Sequence, residues 1–523
     1  MCYMLKKTPK LIEKPHEKII RDAVHGYIRI SSKYVEKIID TPNFQRLKRL
    51  EQTNVRPLYP SAHHDRFIHS LGVYHLGKIA FQFLEENSNK ELAEHDFNWV
   101  LAQKNFELAC LLHDVGHAPF SHTFEKYYDN QKKDGLDTVL LQMTLQIGKT
   151  SEDGKWKEES TRFYKEYKNT SAKEHEKISA ILVLKEYFQT LSEISTVVDP
   201  FLIARMILGL TYENVTNDSV KQFYNCFISL LNSDYIDVDK LDYYARDQWA
   251  TGHISKVLDF ERLLSSLYIK KDSNGYVVCF HKRAITDILA LIETKKLIDV
   301  SMHSHHLVKH DEYVLIEAIK EVSHLIRPNK DREETIREII SIKTLDKSKA
   351  HQVGKFKFQL LTDDDLIYIL KHFMDQSKHA KEWFNRDYSL KAVWKTFADY
   401  KYFFSEFDDE QRKKLFESRE TIVEEFLKQN GYDEKDIKNQ YHIVIPKDTE
   451  YSPILTPKIK IFIKGKVVEL KTLRDDYDEK KEKESKEKRE SYFLLYLPKQ
   501  FCVYEGARDI FIDFVIRKVT ENK

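Results

Sequence analysis

Residues 111–122 read LLHDVGHAPFSH and place three histidines and one aspartate close together. Apolar residues precede the cluster, and Gly116 and Pro119 interrupt it, which is not the pattern of a solvent-exposed helix face. His113 and Asp114 offer a divalent cation one imidazole nitrogen and one carboxylate oxygen, a mixed set that suits Mn, Fe, Co, Ni, Zn or Mg. The stretch therefore predicts a metal site. Because two ligands do not hold a catalytic metal, further ligands must come from elsewhere.

Composition limits the possible partners. The 523-residue chain carries 84 basic and 83 acidic side chains, so no overall charge attracts nucleic acid or a membrane surface, and we expect neither as a partner. With only 14 glycines and 12 prolines against 41% hydrophobic residues, long helices joined by short loops are favoured. The five cysteines show no CxxC spacing and predict reduced thiols. The N-terminus lacks an apolar signal segment, which favours a cytoplasmic protein.

Changes in sequence texture suggest four regions. Residues 1–17 form a basic, flexible lead, 18–320 a catalytic core, 321–430 a helical extension, and 431–523 a small α+β domain. The fold class is thus a mainly α-helical core with a small β-containing C-terminal appendage. The mixed-charge run 474–490 is expected to be a solvated loop, and 149–170 a polar surface insertion without regular period. Strands are predicted at Tyr441–Ile445, Lys458–Leu470, Tyr492–Leu497 and Asp509–Val519.

Two distant segments could complete the metal site. His69 begins an apolar helix three residues after Arg66, and Asp239 lies in an aspartate-rich helical segment. The residues alone leave open whether that second segment is an exposed, ion-paired helix or supplies a metal ligand. The histidine-dense patch 303–306 invites a second metal site, but it lacks paired carboxylates at ligand spacing, so ordinary helix-face histidines are favoured there.

The order of a lone His69, the pair His113 and Asp114, and the distant Asp239 resembles the H, HD, D ligand pattern of the HD superfamily of metal-dependent phosphohydrolases. The longer motifs RFIHSLGV (66–73), LHDVGHAPFSH (112–122) and DVDKLDYYARD (237–247) resemble its deoxynucleoside triphosphate triphosphohydrolase branch. This resemblance covers about residues 22–310. It implies an HD-domain catalytic core in which those four side chains hold one divalent ion, with additional Mg accompanying the nucleotide.

The resemblance further implies hydrolysis of a dNTP to the deoxynucleoside and tripolyphosphate, by attack of water on the α-phosphorus. His117 matches the family's catalytic histidine, suited to give a proton to the leaving sugar oxygen. The family orients that histidine with an aspartate, where Glu125 stands here. Lys295 replaces a phosphate-binding arginine, and His303 replaces a tyrosine that excludes a 2′-hydroxyl. The other matched substrate contacts are Arg66, His122, His175 and Lys240 on phosphate, and Gln52, Tyr243 and Asp247 on the sugar.

The segment from Asp40 to Thr53 resembles the part of the family that binds regulatory nucleotides together with a neighbouring subunit. It makes Asp40, Gln45 and Arg46 candidate regulatory residues, and it implies a nucleotide effector and a homo-oligomer, either a dimer or a tetramer. The residues alone also allow this row of basic and amide groups to be a solvated helix face.

Two other functions stay open. One is an HD-type phosphodiesterase or phosphatase on a signalling or cyclic nucleotide, because the HD metal site serves several chemistries, and the changes at Lys295 and His303 favour it slightly. The other is a nucleotide-sensing or single-strand-binding module. The complete ligand set and His117 argue against the second, as does the absence of a continuous basic track interleaved with aromatics.

Overall fold

The computed structural model describes residues 17–95, 97–128, 135–150, 154, 156–167, 172–233, 236–253, 259–446, 458–474, 492–504 and 506–520. The expected lead and the charged run 474–490 lie almost entirely outside these described residues. Among the described residues, none of the helices combines the length and apolar character that a membrane span needs.

Helices dominate the architecture. The α-helices are α1 Ser32–Tyr34, α2 Pro42–Gln45, α3 Arg66–Ala93, α4 Trp99–Leu112, α5 His122–Glu125, α6 Leu136–Thr150, α7 Lys157–Tyr167, α8 Glu174–Lys185, α9 Phe188–Ile194, α10 Pro200–Leu208, α11 Ser219–Leu231, α12 Val238–Thr251, α13 Phe260–Leu264, α14 Ile285–Ile298, α15 His306–Ile326, α16 Arg332–Ile339, α17 Asp363–His372, α18 Lys378–Asn385, α19 Phe397–Phe403, α20 Asp409–Gln429 and α21 Ala507–Thr520. Short 3₁₀ and π segments are Val35–Ile39, Arg46–Arg49, Lys282–Ala284, Asp299–His303, Ile342–Leu345, Ile437–Asn439, Leu470–Leu473 and Lys499–Phe501.

The strands form small sheets beside the helices. They are β1 Glu17–Asp22, β2 Gly26–Ser31, β3 Leu267–Asp272, β4 Gly275–His281, β5 His351–Val353, β6 Phe356–Phe358, β7 Leu390–Ala392, β8 His442–Val444, β9 Lys460–Ile463, β10 Lys466–Glu469 and β11 Leu494–Pro498. The pairs β1–β2 and β5–β6 are antiparallel hairpins. The larger sheets have the orders β10-β9-β4-β3 and β7-β11-β8, and only β4 and β9 run parallel.

The buried apolar side chains form two cores. The larger core contains most of the long helices, and it combines residues between Ile28 and Ala380 with Ile459, Ile461 and Leu470. The smaller core runs from Leu390 to Val519 and combines α19, α20 and α21 with the sheet β7-β11-β8. The predicted fold class, a mainly helical core with a small α+β C-terminal part, is confirmed.

The two cores of the described residues share the region 321–430, which was expected to be a helical extension. The described cores separate between Ala380 and Leu390, so the expected helical extension contributes to both. The hairpin β9–β10 follows α20 in sequence but packs in the larger core, because β9 pairs in parallel with β4. This pairing joins residues about 180 positions apart, which local sequence patterns do not reveal.

Two local predictions are wrong. Asp509–Val519 is not a strand but lies within α21, which buries Phe511 and Val515 four residues apart against α20. Its β-branched and aromatic residues favour a strand locally, but this tertiary packing prevails. The expected irregular insertion contains α7, which buries Phe163 and is tied to α10 by ion pairs from Arg205.

Candidate active site

Three helix ends bring the candidate metal ligands together. Helix α3 is capped by Asp65, whose Oδ1 accepts the Ile68 N–H at 2.9 Å, and this places His69 in the first helical turn. Helix α4 ends at Leu112, so His113 and Asp114 follow where the chain leaves the helix.

Helix α12 supplies the fourth candidate ligand. Its cap is Asp237, which accepts the Lys240 N–H at 2.7 Å, and Asp239 therefore lies in the first turn. Because α3 packs against both α4 and α12, all three helix ends face one another.

The four side chains converge on one small volume. His69 Nε2 lies 3.0 Å from Asp239 Oδ1, 3.3 Å from His113 Nε2 and 3.6 Å from Asp114 Oδ2. His113 Nε2 lies 3.4 Å from Asp114 Oδ1 and 3.7 Å from Asp239 Oδ1. Three of them are buried, whereas the Asp239 side chain stays about a third exposed and leaves the site open on that side.

The hydrogen bonds of both histidines suit a metal site. His69 Nδ1 donates to Asp242 Oδ2 at 2.7 Å, and His113 Nδ1 donates to the Cys110 carbonyl at 2.9 Å. In the neutral tautomers with the proton on Nδ1, both Nε2 atoms direct a lone pair to the same volume, where a divalent ion would accept both. Two imidazole nitrogens and two carboxylates form a donor set that fits a divalent ion.

Asp242 anchors a buried network behind His69. Its carboxylate also contacts His25 Nε2 at 2.6 Å and accepts two bonds of 2.9 Å from Arg246, which in turn reaches Asp22 at 3.0 Å. The guanidinium of Arg246 and the contacts with both histidines hold the pKa of Asp242 well below its ordinary value against the effect of burial.

Gly72 is an indirect sign of this network in the sequence. A Cβ atom at Gly72 would lie 1.8 Å from Asp242 Oδ1, so only glycine fits on α3 at this point. The roles of Asp242, Arg246 and His25 were not predicted, although the first two lie inside the motif 237–247.

His117 lies directly beside the candidate ligands. Its Nε2 is 3.3 Å from Asp114 Oδ1, and its ring stacks on that of His175 with centroids 4.0 Å apart. Its buried Nδ1 has no hydrogen-bond partner among the described residues. Burial, together with the neighbouring Arg66 and His175, holds the pKa of His117 well below its ordinary value.

Glu125 does not contact His117 directly, contrary to the expected orienting role. One carboxylate oxygen accepts from Nδ1 and from the backbone N–H of His175, the latter at 2.9 Å, and the other accepts from His122 Nδ1 at 2.6 Å. Glu125 therefore reaches His117 through the rings of His175 and His122, whose centroids lie 4.0 Å and 5.1 Å from that of His117. The difference arises because His175, fifty residues away in sequence, lies between them.

Arg66 links the metal centre to two loops. Its Nη1 donates to Asp114 Oδ2, its Nε donates to Ser121 Oγ at 2.8 Å, and its Nη2 donates to the Gln52 carbonyl at 3.4 Å. The side-chain Oε1 of Gln52 is buried without a hydrogen-bond partner among the described residues. The imidazole of His122, by contrast, is about two-thirds exposed at the mouth of the site.

Three of the expected substrate residues, Asp247, His303 and Lys295, belong to one chain of contacts between carboxylates and basic side chains. Asp247 lies between His64 Nε2 at 2.7 Å and His303 Nε2 at 3.2 Å. His303 Nδ1 lies 3.6 Å from Asp299, whose other oxygen is 3.5 Å from Lys295 Nζ. Burial disfavours the charged ring of His303, but its contacts with the two aspartates prevail and raise its pKa to about 9.

Two further expected substrate contacts have protein partners. Lys240 Nζ donates to Asp237 Oδ2 and to the Ser233 carbonyl, both at 2.5 Å. The Tyr243 ring packs on Tyr244 with centroids 4.3 Å apart.

The candidate regulatory residues lie in different environments. Asp40 is exposed, 3.8 Å from Lys18, and the Gln45 amide donates to the Ile39 carbonyl at 2.7 Å. Arg46 is buried. Its guanidinium donates to the carbonyls of Leu361 at 2.6 Å, Val115 at 3.3 Å and His117, so it lies inside the protein rather than on a surface open to an effector.

A known protein family matches the part of the chain that contains three of the four candidate metal ligands. The family profile of the HD domain matches residues 66–207, which include His69, His113 and Asp114, while Asp239 lies beyond the match. The deoxynucleoside triphosphate triphosphohydrolase SAMHD1 homolog of Dictyostelium discoideum is 29% identical over 335 residues, covering 62% of this chain and 53% of the relative. The corresponding SAMHD1 protein of Gallus gallus is 29% identical over 315 residues, covering 58% and 45%.

The chain thus spans about half the length of the curated relatives it matches. A hypothetical protein from Aquifex aeolicus has the same fold along 94% of this chain and 99% of its own, with a TM-score of 0.57 and 18% identity. The ligand motifs, the family match and these relatives agree. Residues 66–207 thus match the HD domain, and the chain is similar to deoxynucleoside triphosphate triphosphohydrolases.

Proposed function

We propose that this chain is a metal-dependent phosphohydrolase that converts a dNTP to the deoxynucleoside and tripolyphosphate. In this reaction water adds to the α-phosphorus, the bond from that phosphorus to the 5′ oxygen breaks, and a proton ends on the 5′ oxygen. The proposal depends on the observation that both carboxylate oxygens of Asp114 contact a functional side chain. One of its oxygens lies beside His117, and the other accepts from Arg66, so metal ligand, proton carrier and phosphate-binding cation meet at one carboxylate.

His69, His113, Asp114 and Asp239 would hold the divalent ion, whose identity among Mn, Fe, Mg, Co, Ni and Zn stays open. A bound ion supplies Lewis-acid polarisation of a phosphate oxygen and a water of lowered pKa. The protein fixes both histidine ligands in one tautomer through Asp242 and the Cys110 carbonyl.

The triphosphate would lie along Arg66, His122 and His175. Arg66 carries a permanent positive charge in a buried position, where its attraction for a phosphate is weakly screened. His122 is exposed, and its Nδ1 donates to Glu125, which leaves its Nε2 available for hydrogen bonding to a substrate. Glu125 aligns the rings of His122 and His175 from behind.

His117 would carry the proton for the leaving 5′ oxygen. Burial lowers the pKa of this ring, whereas a triphosphate beside it favours the imidazolium, because nearby negative charge raises the pKa of a histidine. Stacking on His175 and the contact with Asp114 hold the ring plane. Its unpartnered Nδ1 is the atom from which a proton can be transferred or at which one can be received.

A second candidate is a phosphodiesterase or phosphatase on another nucleotide. The supporting observation lies at the expected sugar end, where His303 engages Asp247 and Lys295 engages Asp299. A substrate sugar must compete with His303 for the Asp247 carboxylate. This competition at an expected sugar contact favours a substrate other than a dNTP.

The decisive test is product analysis with separate dNTPs and NTPs in the presence of Mn or Mg. Tripolyphosphate release from dNTPs is the expected result. Release of pyrophosphate or orthophosphate, or equal turnover of ribonucleotides, would contradict the triphosphohydrolase proposal. Cleavage restricted to cyclic nucleotides would support the second candidate.

We also propose a homo-oligomer regulated by a nucleotide effector. The support is sequence resemblance in the segment from Asp40 to Thr53, where Asp40 is exposed and the Gln45 amide is engaged locally. Because Arg46 is buried, direct effector contact falls to the exposed residues of this segment. Sizing of the protein with each dNTP and with GTP tests this idea, and a mass unchanged by all of them would contradict it.

A further inference from the structure

Asp363 connects two loops of the candidate site although it lies far from every motif. It is the first residue of α17, within the expected helical extension, and it is almost fully buried. Its Oδ2 accepts the Glu51 N–H at 2.8 Å, and its Oδ1 accepts the Phe120 N–H at 2.7 Å. One carboxylate thus holds a backbone donor from each of two segments that are 69 residues apart.

The loop that contains Phe120 requires such support. Phe120 and Ser121 both have φ angles of +51°, in the left-handed region that is unfavourable for residues with a Cβ atom. Two consecutive residues of this kind persist only where surrounding bonds hold them. Asp363 holds the Phe120 N–H, and the Asn54 amide donates to the Phe120 carbonyl at 3.1 Å.

Both segments carry groups assigned above to phosphate or substrate binding. The first contains Gln52, and the second leads directly into His122. Arg66 lies between them and donates to Ser121 Oγ at 2.8 Å and to the Gln52 carbonyl at 3.4 Å. The Ser121 hydroxyl then donates to the Glu51 carbonyl at 2.5 Å. A shift of either segment therefore moves the guanidinium that reaches Asp114.

We infer that Asp363 is a positioning residue that aligns Arg66 and His122 for binding the polyphosphate of the substrate. The inference rests on the proposed function for the identity of that ligand. It assigns part of the substrate-binding geometry to α17, which lies outside the matched HD domain. Other groups near the Asp363 carboxylate are Glu51, which repels it, and Arg46, which attracts it.

The test compares Asp363→Asn and Asp363→Ala with the matched control Asp364→Asn. The asparagine keeps one acceptor and turns an amide donor toward the second N–H, whereas alanine removes both acceptors. Asp364 follows in the same helical turn, but it is exposed and pairs with exposed Arg49 at 3.1 Å. Affinity for inorganic tripolyphosphate is measured by calorimetry, alongside metal content, the unfolding temperature, and kcat and KM for a dNTP.

We expect Asp363→Ala to weaken tripolyphosphate binding and raise KM by about 10- to 100-fold, since misplacement of a binding group by about 1 Å has effects of this size. Asp363→Asn should have a smaller effect, and Asp364→Asn none. Metal content should be unchanged in all three, because the ligands are not displaced. All measurements are made well below the unfolding temperature of each variant, so that the protein is folded. If Asp363 only stabilised the fold, the tripolyphosphate affinity and KM would then equal the wild-type values.

The outcomes separate this inference from the proposed function. Wild-type affinity and KM in folded Asp363→Ala would overturn the positioning role while leaving the reaction intact. Tripolyphosphate binding that depends on Asp363, in a wild type that hydrolyses no dNTP, would support the positioning role and contradict the proposed reaction. If Asp363→Ala does not fold, the same criteria apply to Asp363→Asn.

Discussion

The Nδ1 atom of His69 donates to Oδ2 of Asp242 at 2.7 Å, and this bond turns Nε2 of the same ring toward Asp239 and His113. A residue that cannot itself reach the candidate metal site thereby determines which nitrogen faces it. The same carboxylate is held by Arg246 from the opposite side, so the orientation of His69 depends on a buried, charged network.

Substitution Asp242→Asn should reduce metal affinity without removing any proposed ligand. The amide keeps the shape of the side chain but weakens the acceptor for His69 Nδ1, and loss of such supporting bonds typically costs about 10- to 100-fold in metal affinity. Titration of the apoprotein with Mn, followed by elemental analysis, measures the effect. Unchanged affinity in the folded variant would show that Asp242 is not needed to orient His69.

Substitutions His113→Ala and Asp114→Asn should abolish stoichiometric metal binding and turnover together. Both residues belong to the four-ligand cluster, and asparagine preserves the volume beside the buried Arg66. Metal content per chain and initial rates are the measurements, and circular dichroism establishes that each variant is folded. Full metal content and full activity in either variant would remove the site assignment.

Substitution Glu125→Gln should lower kcat by about 10- to 100-fold and leave metal content unchanged. The carboxylate accepts from both His122 and His175, and these contacts hold its pKa well below the ordinary value despite burial. A neutral amide aligns the two rings less firmly and removes the negative charge beside them. Steady-state kinetics at several pH values check this expectation, which a wild-type kcat would contradict.

Substitution Arg46→Ala should destabilise the protein by about 3 kcal/mol, because it leaves buried carbonyls without donors. These carbonyls belong to Leu361, Val115 and His117. Urea unfolding measures the change, and Arg49→Ala, at an exposed position, is the control with an expected change within about 0.5 kcal/mol. Equal stabilities of Arg46→Ala and wild type would instead favour the surface regulatory role expected from the sequence.

Because of the contact between His303 and Asp247, the free energy of unfolding should decrease at alkaline pH. Contacts with Asp247 and Asp299 raise the pKa of His303 from the ordinary 6.5 to about 9, against the effect of burial. The contribution of charged His303 to the free energy of unfolding is therefore complete below pH 6.5 and is lost as the pH rises through about 9. In urea unfolding, the stability advantage of wild type over His303→Gln should shrink from about pH 6 to pH 9.5. An advantage that stays constant would contradict the charged contact.

The four candidate metal ligands illustrate what local sequence can reveal. His113 and Asp114 are adjacent, and the spacing of His69 after Arg66 and of Asp239 after Asp237 is a property of single helical turns. Their residue types are those that bind divalent ions, so the motifs indicate the chemistry before any packing is known. The mainly helical fold follows in the same way from composition and periodicity.

The hydrogen-bond partners of the site residues were harder to predict from the sequence than the metal ligands. Glu125 was expected to contact His117 but contacts His122 and His175, because a ring from another helix lies between them. The apolar pattern of residues 509–519 was also ambiguous, because it fits both a strand and a helix. Packing against α20 favours the helix.

The sequence by itself determined the class of chemistry, because metal-binding side chains and helix signals are short-range features of the chain. Only the tertiary structure decided how these groups are oriented and supported. Asp242 fixes the tautomer of His69, Arg46 is buried beneath the site, and Asp363 reaches it from 243 residues beyond Phe120. Such contacts depend on the packing of distant helices, and no local pattern encodes which buried polar groups will meet.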